Sequence, residues 1–139
     1  DTDEVIVEKL GLTIDQIFKQ KGEAWFREVE KDVLHEVSQQ SAIISTGGGT
    51  PCFFDNMDFI NRNGLSIYLK IPVEVIGARL LAGKGQNRPL VQGQTYEEMM
   101  SFLFSRLKER DPYYSKAKIV LENPEIPIEE LLKLMSANA

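Results

Sequence analysis

The residues able to do chemistry are separated carboxylates, several arginines and one run of bare backbone. Thr46-Gly47-Gly48-Gly49 follows the apolar Ala42-Ile43-Ile44. Glycine loses more backbone freedom on folding than any other residue, so a glycine run suits a place where something must lie against the main chain. Exposed N–H groups there can point at the oxygens of a small anionic or polyhydroxylated ligand. A flexible turn without a ligand is the plainer reading. Asp1-Thr2-Asp3 offers two carboxylates two residues apart. In an extended segment such side chains share a face, and two oxyanions there could serve a cation and a substrate hydroxyl. Solvated terminal acids are the alternative.

The arginines carry similar pairs of readings. Arg27 has Glu23 four residues before it and Glu30 three after, the spacing of a surface ion pair worth under about 1 kcal/mol. Its functional reading is a bidentate clamp on a carboxylate, which the planar guanidinium does better than lysine. Arg88 precedes Pro89 in a polar, glycine-bracketed stretch. On a closing loop it could reach phosphoryl oxygens and stabilise their charge; otherwise it is solvated. Arg110 stands just before Pro112, a position read as a helix end, where an arginine also complements the helix dipole. Arg79 lies on the helix leading to the polar stretch, and a structural role is equally open. His35, the single histidine, sits between Asp32 and Glu36 and reads as a surface residue. No histidine, cysteine or carboxylate cluster has zinc-site spacing.

The elements that must position these groups alternate between helix and strand, which implies an α/β fold with a largely parallel sheet. Thr13 and Gln16 make a capping box opening a helix toward Lys21, closed by Gly22. Phe26, Val29, Val33 and Val37 form one stripe of a helix running from Glu23 to about Gln40. Residues 41–46 read as a strand buried on both faces. Asp55 caps a short helix closed by Gly64, and residues 65–69 form the next strand. Pro72 suits the first turn of a further helix. Residues 83–94 read as a surface loop long enough to be a lid. Thr95 and Glu98 start a helix to about Glu109, broken by Pro112. Residues 117–121 form a last strand, and Pro127 opens a final helix.

Bulk composition bounds the function. A chain of 139 residues suggests one domain, and 42% hydrophobic with 27% charged content is ordinary for a globular protein. A net charge of -5 disfavours nucleic acid and anionic membranes as partners, so an anionic substrate must be met by local arginines. The single cysteine, Cys52, excludes an internal disulfide within this sequence and fits a reducing compartment. No apolar stretch approaches the roughly 18 residues of a membrane span. No signal peptide is visible, so the expected location is cytoplasmic.

Taken in order, Asp1-Thr2-Asp3, Ile17-Phe18 with Gly22-Glu23, Phe26-Arg27 with Glu30, Thr46-Gly47-Gly48-Gly49, Asn87-Arg88-Pro89-Leu90, and Arg110 with Pro112 and Tyr114 resemble shikimate kinase across essentially the whole chain. The resemblance implies a three-layer P-loop kinase-like α/β fold with a parallel sheet. It implies one domain over residues 1–139, with about 1–40 binding substrate, 83–94 as lid and the remainder as core. The implied reaction moves the γ-phosphoryl group of ATP to the 3-hydroxyl of shikimate, with Mg²⁺ as cofactor, in a monomer. By the same resemblance Asp3 hydrogen-bonds the reacting hydroxyl and acts as its base, and Asp1 attends Mg²⁺ through water. Arg27 and Arg110 grip the shikimate carboxylate, with Gly47, Gly48 and Gly49 against the ring. Arg88 bridges the phosphates, and Arg79 lies near adenine.

The family's first strand and its phosphate cradle, G-x-x-x-x-G-K-[ST], are not among these residues. That loop supplies backbone N–H groups, a lysine and a magnesium ligand. The expectation is that the sequence belongs to a longer kinase, and that these residues alone could be inactive. Asn123-Pro124-Glu125 stands where the family often carries an arginine near adenine. Two alternatives stay open: a non-catalytic binding protein of this type, and another small-molecule P-loop kinase acting on gluconate or a nucleoside monophosphate.

Overall fold

The computed structural model describes residues 1–82, 95–123 and 125–138. They fall into two compact units, Asp1–Gly64 and Leu65–Ala139. The expected lid at residues 83–94, with Arg88, lies outside the described residues.

The first unit is helical. Helix α1 (Thr2–Leu10) starts because the Asp1 side chain accepts the Asp3 N–H at 2.8 Å, and it ends at Gly11, whose φ of 66° permits a left-handed cap. The reading of residues 1–3 as extended is therefore corrected. The first helical turn diverts Asp1 to capping, and side chains two apart on a helix do not share a face. Helix α2 (Ile14–Lys21) carries the full Thr13–Gln16 capping box and closes at Gly22. Helix α3 (Glu23–Val37) stops short of Gln40, at Ser38, whose hydroxyl folds back onto the Leu34 carbonyl at 2.7 Å. The apolar stripe of α3 meets α1 and α2: Ile6, Ile17, Phe26 and Val33 form the buried cluster, flanked by Val29 and Val37. Lys9 of α1 pairs with Glu36 of α3 at the rim.

Residues 41–46 form no strand. A strand needs a neighbour for its N–H and C=O groups, and Ile43 is instead 97% exposed. What fastens this segment is Ser45, whose carbonyl accepts the Thr2 N–H at 3.0 Å. The glycine run then enters a 3₁₀ turn, Thr50–Cys52, and helix α4 (Asn56–Asn63) follows. Asp55 precedes α4 as expected but makes no side-chain cap bond; its carboxylate pairs with Arg62 at 3.2 Å.

The second unit holds a parallel pair, β1 (Ile67–Leu69) and β2 (Ile119–Leu121), with Tyr68 opposite Val120. Helix α5 (Val73–Leu81) follows Pro72. It packs closely on helix α6 (Tyr96–Tyr114) at Gly77, where a Cβ would fall 2.6 Å from the Met100 sulfur. Thr95 and Glu98 cap α6 reciprocally, and the Thr95 backbone and hydroxyl bonds hold the Glu98 carboxyl below its usual range. Pro112 does not break α6. Proline removes one N–H and crowds the carbonyl four residues back, but it falls near the helix end, α6 continues to Tyr114, and the Ser115 N–H bonds the Asp111 carbonyl at 2.8 Å. Helix α7 (Ile128–Asn138) begins directly after Pro127.

Candidate functional site

The site in the first unit is built where three segments meet: the start of α1, the second turn of α3, and the loop from Ser45 to Phe53. Thr2 is buried; its backbone N–H bonds Ser45 and its hydroxyl accepts the Gly47 N–H at 3.2 Å. The glycine loop is thereby pinned to the N-terminus of α1, next to Asp3.

At Gly49 the glycine is required for space rather than for dihedral freedom, and Gly47 is tightly packed. Gly49 has ordinary helical angles, φ -84° and ψ -28°. A Cβ on it would lie 2.5 Å from Nη1 and 2.8 Å from Cζ of Arg27. A Cβ on Gly47 would lie 3.1 Å from the Asp3 carboxylate, 3.1 Å from that of Glu30 and 3.3 Å from the Thr50 hydroxyl. The protein's own side chains thus account for the bare backbone at Gly47 and Gly49, while Gly48 is exposed.

Arg27 forms both ion pairs that its spacing suggested, with Glu23 at 3.0 Å and Glu30 at 2.8 Å. They are not a surface pair. The Arg27 side chain is 11% exposed and that of Glu30 only 1%. A buried carboxylate survives only with its oxygens satisfied. Here Glu30 Oε2 takes Arg27 Nη1, and Oε1 accepts the Thr50 hydroxyl at 2.6 Å. The guanidinium also lies 4.2 Å from the centre of the Phe53 ring and 5.2 Å from that of Phe26, within cation–π range.

The donor count shows what this guanidinium can still do. Arginine has five N–H donors. Nε and Nη2 each donate to Glu23 and Nη1 to Glu30. Among the described residues, one N–H therefore remains on each terminal nitrogen. Both terminal nitrogens thus keep a donor with which to meet a further anionic group such as a carboxylate.

In the second unit, Arg110 is half-buried on α6 and lies one turn inside the helix rather than at its end. The dipole explanation for it, tied to the last turn, loses its basis. The adjoining turn is anchored by Asp111, which accepts the Tyr68 hydroxyl at 3.4 Å and that of Ser115 at 3.2 Å. Burial, then the Asp111 carboxylate, push the Tyr68 hydroxyl up to about 12. Arg79 is exposed on α5 and lines a shallow hollow of about 380 Å³ with Glu74, Val75, Ala78 and Ala82.

His35 is not the plain surface residue its neighbours suggested. Its ring stacks on Phe59 at 3.9 Å, and Nε2 is buried with no hydrogen-bond partner among the described residues. Asp1 is exposed, with one carboxylate oxygen committed to the α1 cap. Among the described residues no group of three or more acids, histidines or cysteines is placed to hold a metal. A single carboxylate fits an ion such as Mg²⁺ that keeps its waters and is held chiefly by substrate phosphates. Residues whose importance the sequence did not disclose are Thr2, Thr50, Phe53 and Asn56. Thr2 and Thr50 border Asp3 and the glycine run in sequence, whereas Phe53 and Asn56 carry no such signal.

Comparison with known proteins identifies the family. The shikimate kinase family model matches residues 1–136. A shikimate kinase of Bacteroides thetaiotaomicron is 41% identical over 127 residues, covering 91% of this chain and 72% of the relative. One of Parabacteroides distasonis is 43% identical over 123 residues, covering 88% and 70%. The crystal structure of a Bacteroides thetaiotaomicron shikimate kinase superposes with a TM-score of 0.91 at 36% identity, covering 98% of this chain and 82% of the other. A shikimate kinase from Acinetobacter baumannii, solved in complex with shikimate, gives 0.80 at 33% identity, covering 99% and 78%. These neighbours establish the α/β P-loop kinase fold class and set aside the gluconate and nucleoside monophosphate alternatives. The chain belongs to the shikimate kinase family, whose reaction is ATP-dependent phosphorylation of shikimate.

Proposed function

We propose that the chain contributes the substrate-gripping part of a shikimate kinase, with Arg27 as the carboxylate clamp and Asp3 as the group that receives the reacting 3-hydroxyl. The observation that carries this reading is the remaining donor pair on a nearly buried guanidinium, beside a glycine loop that also faces Asp3. Shikimate offers what such a site recognises: a carboxylate for Arg27 and ring hydroxyls for the loop and Asp3. Asp3 orients the nucleophilic hydroxyl and accepts its proton, a positioning role suited to phosphoryl transfer, where alignment and electrostatics dominate.

Arg110 is proposed, by its family match, as the second guanidinium on the same carboxylate. Arg88 is proposed as the lid arginine that meets the phosphates, and Arg79 as a residue near adenine. ATP is the family's co-substrate. Mg²⁺ is the proposed cofactor, attended by Asp1 through water, where it neutralises phosphate charge. No helix among the described residues is long and apolar enough to cross a membrane. A cytoplasmic monomer is the proposed state, supported by that observation and the lone Cys52 for location and by resemblance alone for assembly.

Arg27→Lys in the full-length protein tests the clamp. Lysine keeps a positive charge against Glu30 but loses the paired donors. The shikimate KM should rise about tenfold or more, the loss expected for a charged hydrogen bond, with the KM for ATP close to wild type. An unchanged shikimate KM would remove Arg27 from the substrate site.

A further inference from the structure

We propose that Thr50 is a positioning residue for Arg27, acting through the buried carboxylate of Glu30. The inference rests on the reading of Arg27 as the carboxylate clamp. Thr50 is fully buried, and its hydroxyl donates to Glu30 Oε1 at 2.6 Å. Glu30 in turn holds Arg27 through its other oxygen at 2.8 Å. The Thr50 hydroxyl is itself fixed in place from both sides of its backbone. The Thr50 N–H bonds the Gly47 carbonyl at 3.0 Å, and the Thr50 carbonyl accepts Nδ2 of Asn56 at 2.9 Å. Asn56 is fully buried at the start of α4. A continuous relay therefore runs from α4 through the glycine loop to the guanidinium.

The relay has a chemical purpose beyond packing. A buried carboxylate oxygen takes whatever donor is at hand, because leaving it unpaired is costly. With Thr50 present, Glu30 spends one oxygen on the hydroxyl and only one on Arg27. Without that hydroxyl, Oε1 has to find another donor, and Arg27, already bonded to the same carboxylate at 2.8 Å, is one within reach. A carboxylate turned toward the remaining N–H groups of Arg27 occupies the pair that the substrate needs. Thr50 thus keeps Glu30 from competing with shikimate for its own clamp.

The test compares Thr50→Val with wild type, and Thr50→Ala with Thr50→Ser, in the full-length protein; members of the second pair differ only in the hydroxyl. Thr50→Val should raise the shikimate KM about tenfold, the effect of losing one hydrogen bond to a charged group. Its kcat and its KM for ATP should stay near wild type. Thr50→Ser should keep the wild-type shikimate KM, and Thr50→Ala should match Thr50→Val. Should Thr50→Val not fold, the Ala and Ser variants decide alone. Equal shikimate KM values for Ala and Ser would overturn the proposal, as would a loss in kcat alone. Arg27→Lys assayed alongside separates the two levels. If it raises the shikimate KM while the Thr50 variants do not, the relay fails and the clamp stands; if it does not, both fail.

Discussion

Adding one methyl group at Gly49 should disable the substrate clamp without unfolding the protein. In Gly49→Ala the new carbon would sit 2.5 Å from Nη1 of Arg27, whereas ordinary contact begins near 3.4 Å. The guanidinium must retreat by the difference, about 0.9 Å. It cannot do so while keeping its partners, since Nη1 lies 2.8 Å from Glu30 and Nη2 lies 3.0 Å from Glu23. The backbone has no objection to alanine, because φ and ψ at Gly49 are -84° and -28°. Alanine there even reduces unfolded-state freedom, a gain of about 0.4–1 kcal/mol set against the steric cost. The loss should therefore appear in binding. Displacing a charged donor pair costs about 1.5–3 kcal/mol, or about 10- to 150-fold in shikimate affinity. Calorimetric titration of shikimate into wild type, Gly49→Ala, Arg27→Lys and the double variant gives the affinity and the coupling together. Because both substitutions act on one guanidinium, Gly49→Ala should cost little more once Arg27 is already lysine. Wild-type affinity in Gly49→Ala, or full additivity in the double variant, would refute the reasoning.

Asp3→Asn should lower kcat about 100-fold or more, the usual range for losing a proton acceptor, with shikimate affinity nearly unchanged; equal turnover would end its role as base. The raised Tyr68 hydroxyl, at about 12 against an ordinary 10, favours the protonated folded state. Its contribution to stability is complete below pH 10 and is lost as pH rises toward 12. Thermal unfolding across that window should fall more steeply in wild type than in Tyr68→Phe, and parallel slopes would contradict the assignment.

Local chemistry was legible in the sequence, and long-range pairing was not. The Thr13–Gln16 and Thr95–Glu98 capping boxes appear as read because a cap depends on residues three apart. The stripe through Phe26, Val29, Val33 and Val37 likewise faces the core. The strand expected at residues 41–46 needed a pairing partner, which no local pattern supplies; the segment is tied to Thr2 instead. The break expected at Pro112 does not occur: α6 runs through it to Tyr114, because a proline near a helix end has few ladder bonds left to disturb.

The candidate site shows the same division. Arg27, Glu23 and Glu30 could be paired from spacing alone. Whether those pairs were solvated or buried could not, because the partner that satisfies the buried Glu30 carboxylate, Thr50, lies twenty residues away. The glycine run was legible as a close approach. What approaches Gly47 and Gly49, however, is the protein's own Asp3, Glu30 and Arg27. The family resemblance assigned Asp3 and Arg27 their roles, and the structure adds Thr2 as the residue that fastens the loop beside them.

The most direct measurement is a crystal structure of the full-length protein with shikimate bound. The account predicts the shikimate carboxylate on the two remaining N–H groups of Arg27, with Glu30 still held by Thr50 and the 3-hydroxyl against Asp3. A bound shikimate whose carboxylate lies away from Arg27, with that guanidinium wholly committed to Glu23 and Glu30, would contradict it.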